Sequence, residues 1–446
     1  MFALGNRKTT KKLENLAVSQ NIINTLKLYQ QSIATNAARL KEKMNETKKI
    51  IEQQNTESSK EETETCNNYA ITAATNSLAN SYINAPSIGF NGIQLLSLYN
   101  IPSIKPSILS NSNEMAKKVK IAIIIAHTYP KLKDDLYSYW TSPSNFGPNS
   151  TPPNVTIYTT PGATINSNWS GESCMDLQII CTVNPNADIY VVEAKSSATK
   201  DLLNAVNYAE NNIRADVLSM SWGGDDSASF SGAAYSSYFS NPNICYCAAS
   251  GDANYVSWPA VSSNCVAVGG TTLLWTPSDI SPASRTEFTW PSAGCGYSKS
   301  VLKPAYQNAV NTSSKYRCIP DLSLVSNPVS GIHIICAGKW NCIGGTSAAA
   351  PIFAGMLSIA NQQRFNSGKS ALTTTYPKFQ VPSNNVQQCL YNPDLYKSMF
   401  ADVVIGTCVG TGENSQIKFS AVQNFDIATG LGSPNCAVMC NNLFNL

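Results

Sequence analysis

From about residue 117 onwards, short apolar runs alternate with stretches of helical periodicity. Apolar runs of about four to eight residues predict strands that are buried on both faces, as in a parallel sheet covered by helices. We expect strands at 119–126, 187–193, 215–220, 244–249 and 265–268. We expect helices at 172–181, 198–211 and 348–363, the last of them buried. The predicted fold class is therefore α/β, a doubly wound parallel sheet with helices on both faces.

The first 54 residues follow a different pattern, in which apolar residues recur at heptad positions. One core position would hold Leu16, Ile23, Ala37, Met44 and Ile51, and the other Leu26, Ile33 and Leu40. Ser19, Gln30 and Thr47 interrupt this seam, so a coiled coil that mediates self-association and an intramolecular helical hairpin both remain open. We predict three parts: a helical segment 1–54, a linker and lead-in segment 55–116, and a globular domain 117–446.

Composition narrows the partners that this chain would bind. Charged residues make up 13% of the 446 residues and the formal net charge is +3, so no basic face for nucleic acid is expected. The longest apolar run, at 121–126, is far shorter than a membrane span requires. Basic residues near the start are not followed by the apolar stretch of a signal peptide, so the sequence predicts neither membrane insertion nor classical secretion.

The 14 cysteines are many for a reducing compartment. Paired zinc ligands at short spacing are missing, because the chain has no C-x-x-C motif. We therefore expect disulfides for some cysteines and buried free thiols for the others, with a pairing that the sequence does not give. This cysteine content fits an oxidising setting, whether extracellular, vacuolar or within a particle.

A candidate nucleophile is Ser347, which a glycine turn at 344–345 places at the start of the predicted buried helix. Helix N-terminal N–H groups stabilise developing negative charge, although an ordinary N-cap serine would give the same local pattern. The only histidines are His127 and His333, and neither has the Asp, His, Ser chain order of a subtilisin-like triad. A base other than histidine is needed.

Glu172 and Asp176 offer such a base, because residues four apart on a helix lie on one face. Two neighbouring carboxyls do not both ionise easily, so one can serve as the base while the other orients it. The same spacing is also common on solvated helix faces.

An ordered set of segments favours a catalytic role for these residues over an ordinary N-cap serine and a solvated helix face. The segments are SGESCMDLQ at 170–178, NADIYVVEA at 186–194, SMSWG at 219–223, ASGD at 249–252, WPA at 258–260, VGGTT at 268–272 and GGTSAAAP at 344–351. In this order they resemble the sedolisin family of serine-carboxyl peptidases, over about residues 117 to 440. The resemblance implies a subtilisin-like fold, with Ser347 as nucleophile, Glu172 as general base and acid, and Asp176 as its orienting partner.

The resemblance also implies roles for aspartates elsewhere in the chain. Asp252 would occupy the oxyanion hole, where it must be protonated to donate a hydrogen bond, which implies work at acidic pH. One Ca²⁺ site would be formed by Asp402, Val403, Val422, Asn424 and Asp426. The family has glycines where this chain has Val422 and Asn424, so the loop geometry is open.

Two other departures concern the acid network and the N-terminus. Relatives often carry an acidic residue at the position of Ile125, and they carry a large folded propeptide where residues 1–80 here form a predicted helix and linker. The sequence thus predicts a serine-type peptidase that hydrolyses proteins or peptides at acidic pH. The rival is a catalytically inactive relative that keeps the fold as a structural or binding module.

Overall fold

The computed structural model describes residues 67–68, 89–109, 113–226, 238–252, 254–275, 279–310, 314–377, 380–411 and 416–446. All of them belong to one compact unit, Glu64–Leu446. The predicted helix at 1–54, and self-association through it, lie outside the described residues and stay predictions.

The described strands, in chain order, are β1 Asn67–Asn68, β2 Lys120–Ala126, β3 Val155–Thr159, β4 Asp188–Ala194, β5 Val217–Met220, β6 Trp222–Asp225, β7 Cys245–Ala249, β8 Ser257–Trp258, β9 Cys265–Leu274, β10 Thr286–Thr289, β11 Gly296–Leu302, β12 Tyr316–Ile319, β13 Leu322–Val325, β14 Ile332–Cys336, β15 Lys339–Ile343, β16 Phe400–Ala401, β17 Thr407–Thr411, β18 Gln416–Ser420 and β19 Ser433–Pro434. The α-helices are α1 Gly92–Leu98, α2 Leu132–Thr141, α3 Ser167–Val183, α4 Thr199–Tyr208, α5 Thr346–Asn366, α6 Val386–Leu390, α7 Tyr396–Met399 and α8 Cys436–Phe444. A π-helical turn, Ala209–Ile213, continues α4.

The central sheet has the strand order β10-β9-β7-β5-β2-β4-β3, and β13 pairs with β9 as well. Its pairs are parallel except for β9 with β10. In an open parallel sheet the carboxyl ends of the strands lie along one edge, where functional loops collect. Ser221 follows β5 and Asp252 follows its neighbour β7, so the topology places both residues at this edge.

Helices α3 and α5 pack against each other and against the sheet. Both are buried nearly all round, which suits helices whose sequences are rich in apolar and small residues. Gly355 of α5 permits this close approach, because a Cβ atom there would collide with the Val183 side chain of α3. The two helices that carry the candidate chemistry are thereby fixed rigidly to one another.

The sequence-predicted α/β class is confirmed, and each predicted strand and helix of the domain has a counterpart. The predicted strand 265–268 corresponds to β9, which runs on to Leu274. The predicted helix 348–363 corresponds to α5, which spans Thr346–Asn366. The expectation of disulfides is confirmed at Cys295–Cys408, which joins the residue before β11 to β17. Among the described helices, none combines the length and apolar character that a bilayer span requires.

The described part of the predicted lead-in segment includes residues that are packed into the core. Phe90, Leu95, Leu98 and Tyr99 are fully buried and belong to the main hydrophobic core. Asn91 caps α1, since its side chain accepts from the Gln94 N–H and the Gln94 side chain accepts from the Asn91 N–H. The core therefore begins well before Lys117.

Candidate active site

Helix α3 holds Glu172 and Asp176 in the protein interior. The helix starts at an Asn166 cap, whose side chain accepts from the N–H groups of Asn168 and Trp169. Both carboxyl groups are fully buried, so the solvated-face interpretation of this pair is excluded. Burial raises the pKa of Asp176 well above its ordinary value, while hydrogen bonds with Ser221 and Glu172 lower it. The acid pair therefore retains a proton more readily than exposed carboxyls would.

Ser347 is the second residue of α5 and is fully buried. The turn before it requires glycine twice. Gly345 has φ +104°, and a Cβ atom on Gly344 would collide with the Ser326 carbonyl. The Ser347 hydroxyl donates to the Ser221 carbonyl at 3.3 Å. The sequence prediction that a glycine turn delivers Ser347 to the start of a buried helix is thus confirmed.

Ser221 connects the serine with the acid pair. Its hydroxyl lies 2.9 Å from Asp176 Oδ1 and 3.1 Å from the Ser347 carbonyl oxygen. That carbonyl would normally accept from the N–H four residues later, but residue 351 is proline and has no N–H. The Ser221 hydroxyl has one hydrogen and lies within reach of both acceptors, so it can donate either to this carbonyl or to Asp176 Oδ1. Sequence reasoning used Ser221 only as part of the SMSWG segment and missed this role, although Pro351 at a helix interior position was a signal that a carbonyl needed another donor.

Asp252 lies on the other side of the same helix start. Its Oδ1 atom accepts from the Thr346 N–H and from the Thr346 hydroxyl, each at 2.8 Å. Its Oδ2 atom is buried, and in the described part of the chain it has no hydrogen-bond partner. Burial raises the pKa of Asp252 to about 7, although the two bonds from Thr346 favour the ionised form. Thr346 also fixes the turn after β7, because its hydroxyl accepts from the Gly251 N–H at 3.0 Å.

The structure also describes the surroundings of the two histidines and of Ile125. His127 follows β2 and its Nδ1 atom contacts the Thr164 hydroxyl at 3.4 Å, while His333 is buried in β14 beside the Trp340 ring. Ile125 pairs in register with Glu193 of β4, which is also buried. The Glu193 carboxylate accepts from the Tyr129 N–H at 3.1 Å and from the Thr159 hydroxyl at 2.6 Å. These contacts hold Glu193 at the strand ends.

Three of the five candidate calcium ligands, Val422, Asn424 and Asp426, lie in the loop between β18 and β19, while Asp402 and Val403 follow β16. Asp402 Oδ2 accepts from the Asn424 N–H at 2.8 Å, and Asp426 Oδ2 accepts from the Val422 N–H at 3.1 Å. Asn424 has φ +68°, the left-handed conformation that favours glycine and that asparagine also tolerates. Asn424 thus adopts a backbone conformation that glycine would also permit at this position.

The chemistry of this donor set fits a hard cation. Two carboxylates and the backbone carbonyls of Val403, Val422 and Asn424 are oxygen ligands of the kind that Ca²⁺ prefers. Asp426 is also held by the N–H groups of Ala428 and Thr429, which fix its orientation. Burial raises the pKa of Asp426 to about 6 in spite of these donors.

Taken together, the start of α5 brings three chemical groups within one hydrogen-bonded unit. These groups are the Ser347 hydroxyl, the buried acid pair, which is linked through Ser221, and the buried acid Asp252, which is linked through Thr346. Such a set can supply a nucleophile, a proton acceptor and a hydrogen-bond donor for developing negative charge.

Comparison with known proteins identifies the fold and the family. The subtilase family profile matches residues 159–390. Kumamolisin of Bacillus sp. (strain MN-32) is 28% identical over 294 residues, which are 59% of this chain and 49% of kumamolisin. Sedolisin of Pseudomonas sp. (strain 101) is 37% identical over 122 residues, 25% of this chain and 20% of that protein. The chain thus spans half or less of the length of these two relatives.

A solved structure of Pseudomonas sedolisin, a serine-carboxyl proteinase complexed with two molecules of pseudo-iodotyrostatin, has the same fold. The TM-score is 0.65 at 22% identity, and the match covers 81% of this chain and 99% of that one. The family profile spans more than half of the chain, and the relatives and the fold agree with it. The chain therefore belongs to the subtilase family, as a subtilisin-like protein of the sedolisin type.

Proposed function

We propose that this protein is an active serine-carboxyl peptidase that cleaves peptide bonds of proteins or peptides at acidic pH. The observation that carries the proposal is the hydrogen-bonded unit at the start of α5, in which Ser347, Asp176 and Asp252 are linked through Ser221 and Thr346. Ser347 is the nucleophile, Glu172 the base, Asp176 its orienting partner, and Asp252 the oxyanion-hole donor.

In the first half of the reaction, the Ser347 hydroxyl attacks the peptide carbonyl. An Oγ–C bond forms, and the hydroxyl proton passes to Glu172. Asp176 can hold the proton that the acid pair shares, because burial favours its neutral form, and this leaves Glu172 ionised and able to act as base. When the intermediate collapses, the C–N bond breaks and Glu172 returns the proton to the leaving amine.

In the second half, water attacks the acyl-enzyme and gives its proton to Glu172. The C–O bond to Ser347 then breaks, the carboxylic acid leaves, and the serine recovers its proton. Both tetrahedral intermediates carry a negative oxygen. The buried Oδ2 of Asp252 is suited to donate to that oxygen when protonated, because Oδ1 is already engaged by the two Thr346 donors.

The proposed function is tested with an unstructured protein substrate between about pH 3 and pH 8. We expect fragments on the acid side and none from Ser347→Ala, whose fold is checked by circular dichroism. Fragments from Ser347→Ala would place the nucleophile elsewhere. The absence of fragments from the wild type at every pH would support the inactive module, which the retention of Ser347, Asp252 and the buried acid pair does not favour.

We also propose that Asp402 and Asp426 bind one Ca²⁺ together with the carbonyls of Val403, Val422 and Asn424. When bound, the ion would supply charge neutralisation for the two carboxylates and would cross-link the loop. It has no part in the chemical step.

A further inference from the structure

Three potential metal ligands meet on the face of α3 that is opposite the acid pair. Asp135 of α2, Cys174 of α3 and Cys336 at the end of β14 each present one ligand atom, and these atoms all lie within 4.8 Å of one another. Cys174 Sγ is 3.7 Å from Asp135 Oδ2. Cys174 is two residues from both Glu172 and Asp176, and residues two apart on a helix do not face the same side.

We propose that Asp135, Cys174 and Cys336 form a binding site for a thiophilic divalent cation, above all Zn²⁺. Two sulfur ligands and one carboxylate oxygen are a donor set that Zn²⁺ accepts in tetrahedral sites. A tetrahedral ion with bonds of about 2.3 Å to sulfur separates two sulfur ligands by about 3.8 Å, which is compatible with the observed grouping. A fourth ligand would be water, since Cys336 is only partly buried and gives access from solvent.

The groups around the carboxylate support this assignment, because metal ligands are usually oriented by hydrogen bonds from a surrounding shell. Asp135 Oδ2 accepts from the Tyr129 hydroxyl at 2.7 Å and the Ala337 N–H at 2.8 Å, and Oδ1 accepts from the Gly338 N–H at 2.9 Å. Ala337 and Gly338 form the two-residue turn of the β14–β15 hairpin, with φ of +54° and +70°. The turn is thus held over the carboxylate beside Cys336.

Sequence spacing could not reveal this site, because its three ligands come from three separate elements and include no C-x-x-C pair. A bound ion would join α2, α3 and the hairpin whose second strand leads into the Gly344 turn and Ser347. The site is thus independent of the proposed peptidase chemistry but adjacent to the elements that position it.

The test is a titration of the full chain, kept reduced and freed of metal by a chelator, with Co²⁺ as a spectroscopic probe. We expect one equivalent of Co²⁺ to produce thiolate-to-cobalt charge-transfer absorption and the visible bands of tetrahedral cobalt, which Zn²⁺ then abolishes. The oxygen-only calcium site cannot give the thiolate band. Because thiolates are the ligands, binding should release protons.

Cys336→Ser should lose the charge-transfer band, and circular dichroism should show that this partly exposed substitution leaves the fold intact. Cys436→Ser and Cys408→Ser are the controls, because Cys436 and Cys440 are a close thiol pair, at 3.7 Å, and reduction frees Cys295 and Cys408 as another. Tyr129→Phe should weaken binding by roughly 10-fold to 100-fold through loss of an orienting hydrogen bond.

Three results would overturn the proposal. One is the absence of the band in reduced wild type, and another is an unchanged band in folded Cys336→Ser. The third is a Cys174–Cys336 disulfide in protein isolated without reductant, detected as a linked peptide by mass spectrometry, since both sulfur ligands would then be consumed.

Discussion

Asp252 should make catalysis depend on a single proton near neutral pH. Its pKa is raised to about 7 by burial, so the carboxyl is a donor below that pH and a repelling anion above it. We expect kcat/KM to fall as the pH rises through about 7, and Asp252→Ala to lower kcat by roughly 100-fold to 1000-fold at the optimum.

Asp252→Asn separates the titration from the hydrogen bond. An amide donates without ionising, so this variant should be weaker than the wild type at its optimum yet lose less activity as the pH rises. The measurement is kcat/KM against pH for both proteins. Superimposable profiles, or a wild-type optimum on the alkaline side, would mean that Asp252 does not hold the oxyanion.

Ser221 should act as a positioning residue through Asp176 and the Ser347 carbonyl. Ser221→Ala removes a hydrogen bond that lowers the pKa of Asp176, so the acid limb of the pH profile should move to higher pH. We expect kcat to fall about tenfold, the effect of one buried hydrogen bond of about 1.4 kcal/mol, with little change in KM.

Ser219→Ala provides the control for that variant. Ser219 is equally buried two residues earlier, and its hydroxyl has no hydrogen-bond partner among the described residues. The Ser219→Ala substitution should leave the pH dependence of kcat unchanged. A Ser221→Ala enzyme that loses stability but keeps the wild-type profile would reduce Ser221 to a structural role.

The candidate site could be predicted from sequence where the signal was local. The Glu172/Asp176 spacing and the glycine turn before Ser347 each lie within a few residues, and the structure brings both to α5. The donor to the Ser347 carbonyl could not be named, because it depends on β5 and α5 meeting across 126 residues. The elevated pKa of Asp252 likewise depends on burial by distant parts of the chain.

The loop that carries Val422, Asn424 and Asp426 should gain stability from Ca²⁺. A ligand that binds only the folded state stabilises it in proportion to the logarithm of its concentration over Kd, by about 2.7 kcal/mol at a hundredfold excess. We expect the Tm to fall when Ca²⁺ is chelated and to recover on its return, while Asp402→Asn should have a lowered Tm that no longer responds.

The exposed Asp394 supplies the matched aspartate, and Asp394→Asn should keep the calcium response. Differential scanning calorimetry of the three proteins, with and without chelator, measures this change in Tm. A wild-type Tm that is indifferent to chelator would remove the metal from this loop.

Strands and helices could be predicted from sequence where the element itself carries a regular pattern of apolar residues. Strands β2, β4, β5, β7 and β9 are dominated by apolar residues, as expected for parallel strands that are covered on both faces. The hairpin β14–β15 was missed, because its turn depends on Ala337 in the left-handed conformation, which is unusual for alanine. The Ala337 N–H donates to Asp135, which lies on α2 and is distant in sequence. The packing of α1 into the core was also missed, since Phe90 and Leu95 precede the region where strands and helices alternate.

Across the whole molecule, the buried acids link stability to the same protons as the proposed chemistry. Asp252 and Asp176 both have raised pKa values in the folded state, so between the unfolded and folded pKa the native protein binds more protons than the unfolded chain. The free energy of unfolding must then decrease as the pH rises through that interval. Ionisation above it forces a charge into the interior.

For Asp252 the interval runs from the ordinary value of 3.8 to about 7. Each pKa unit corresponds to about 1.4 kcal/mol, so its contribution to the loss of stability between these pH values is on the order of 4 kcal/mol. We expect urea unfolding of Ser347→Ala, used to prevent self-digestion, to give a free energy of unfolding that declines from about pH 4 to pH 7. Adding Asp252→Asn should make this decline shallower, because the amide does not titrate. The part of the decline in the free energy of unfolding that comes from Asp176 should persist. If the double variant kept the full slope, Asp252 would have to be ionised in the folded protein throughout that range, and it could not then donate a hydrogen bond to an oxyanion at any pH in it.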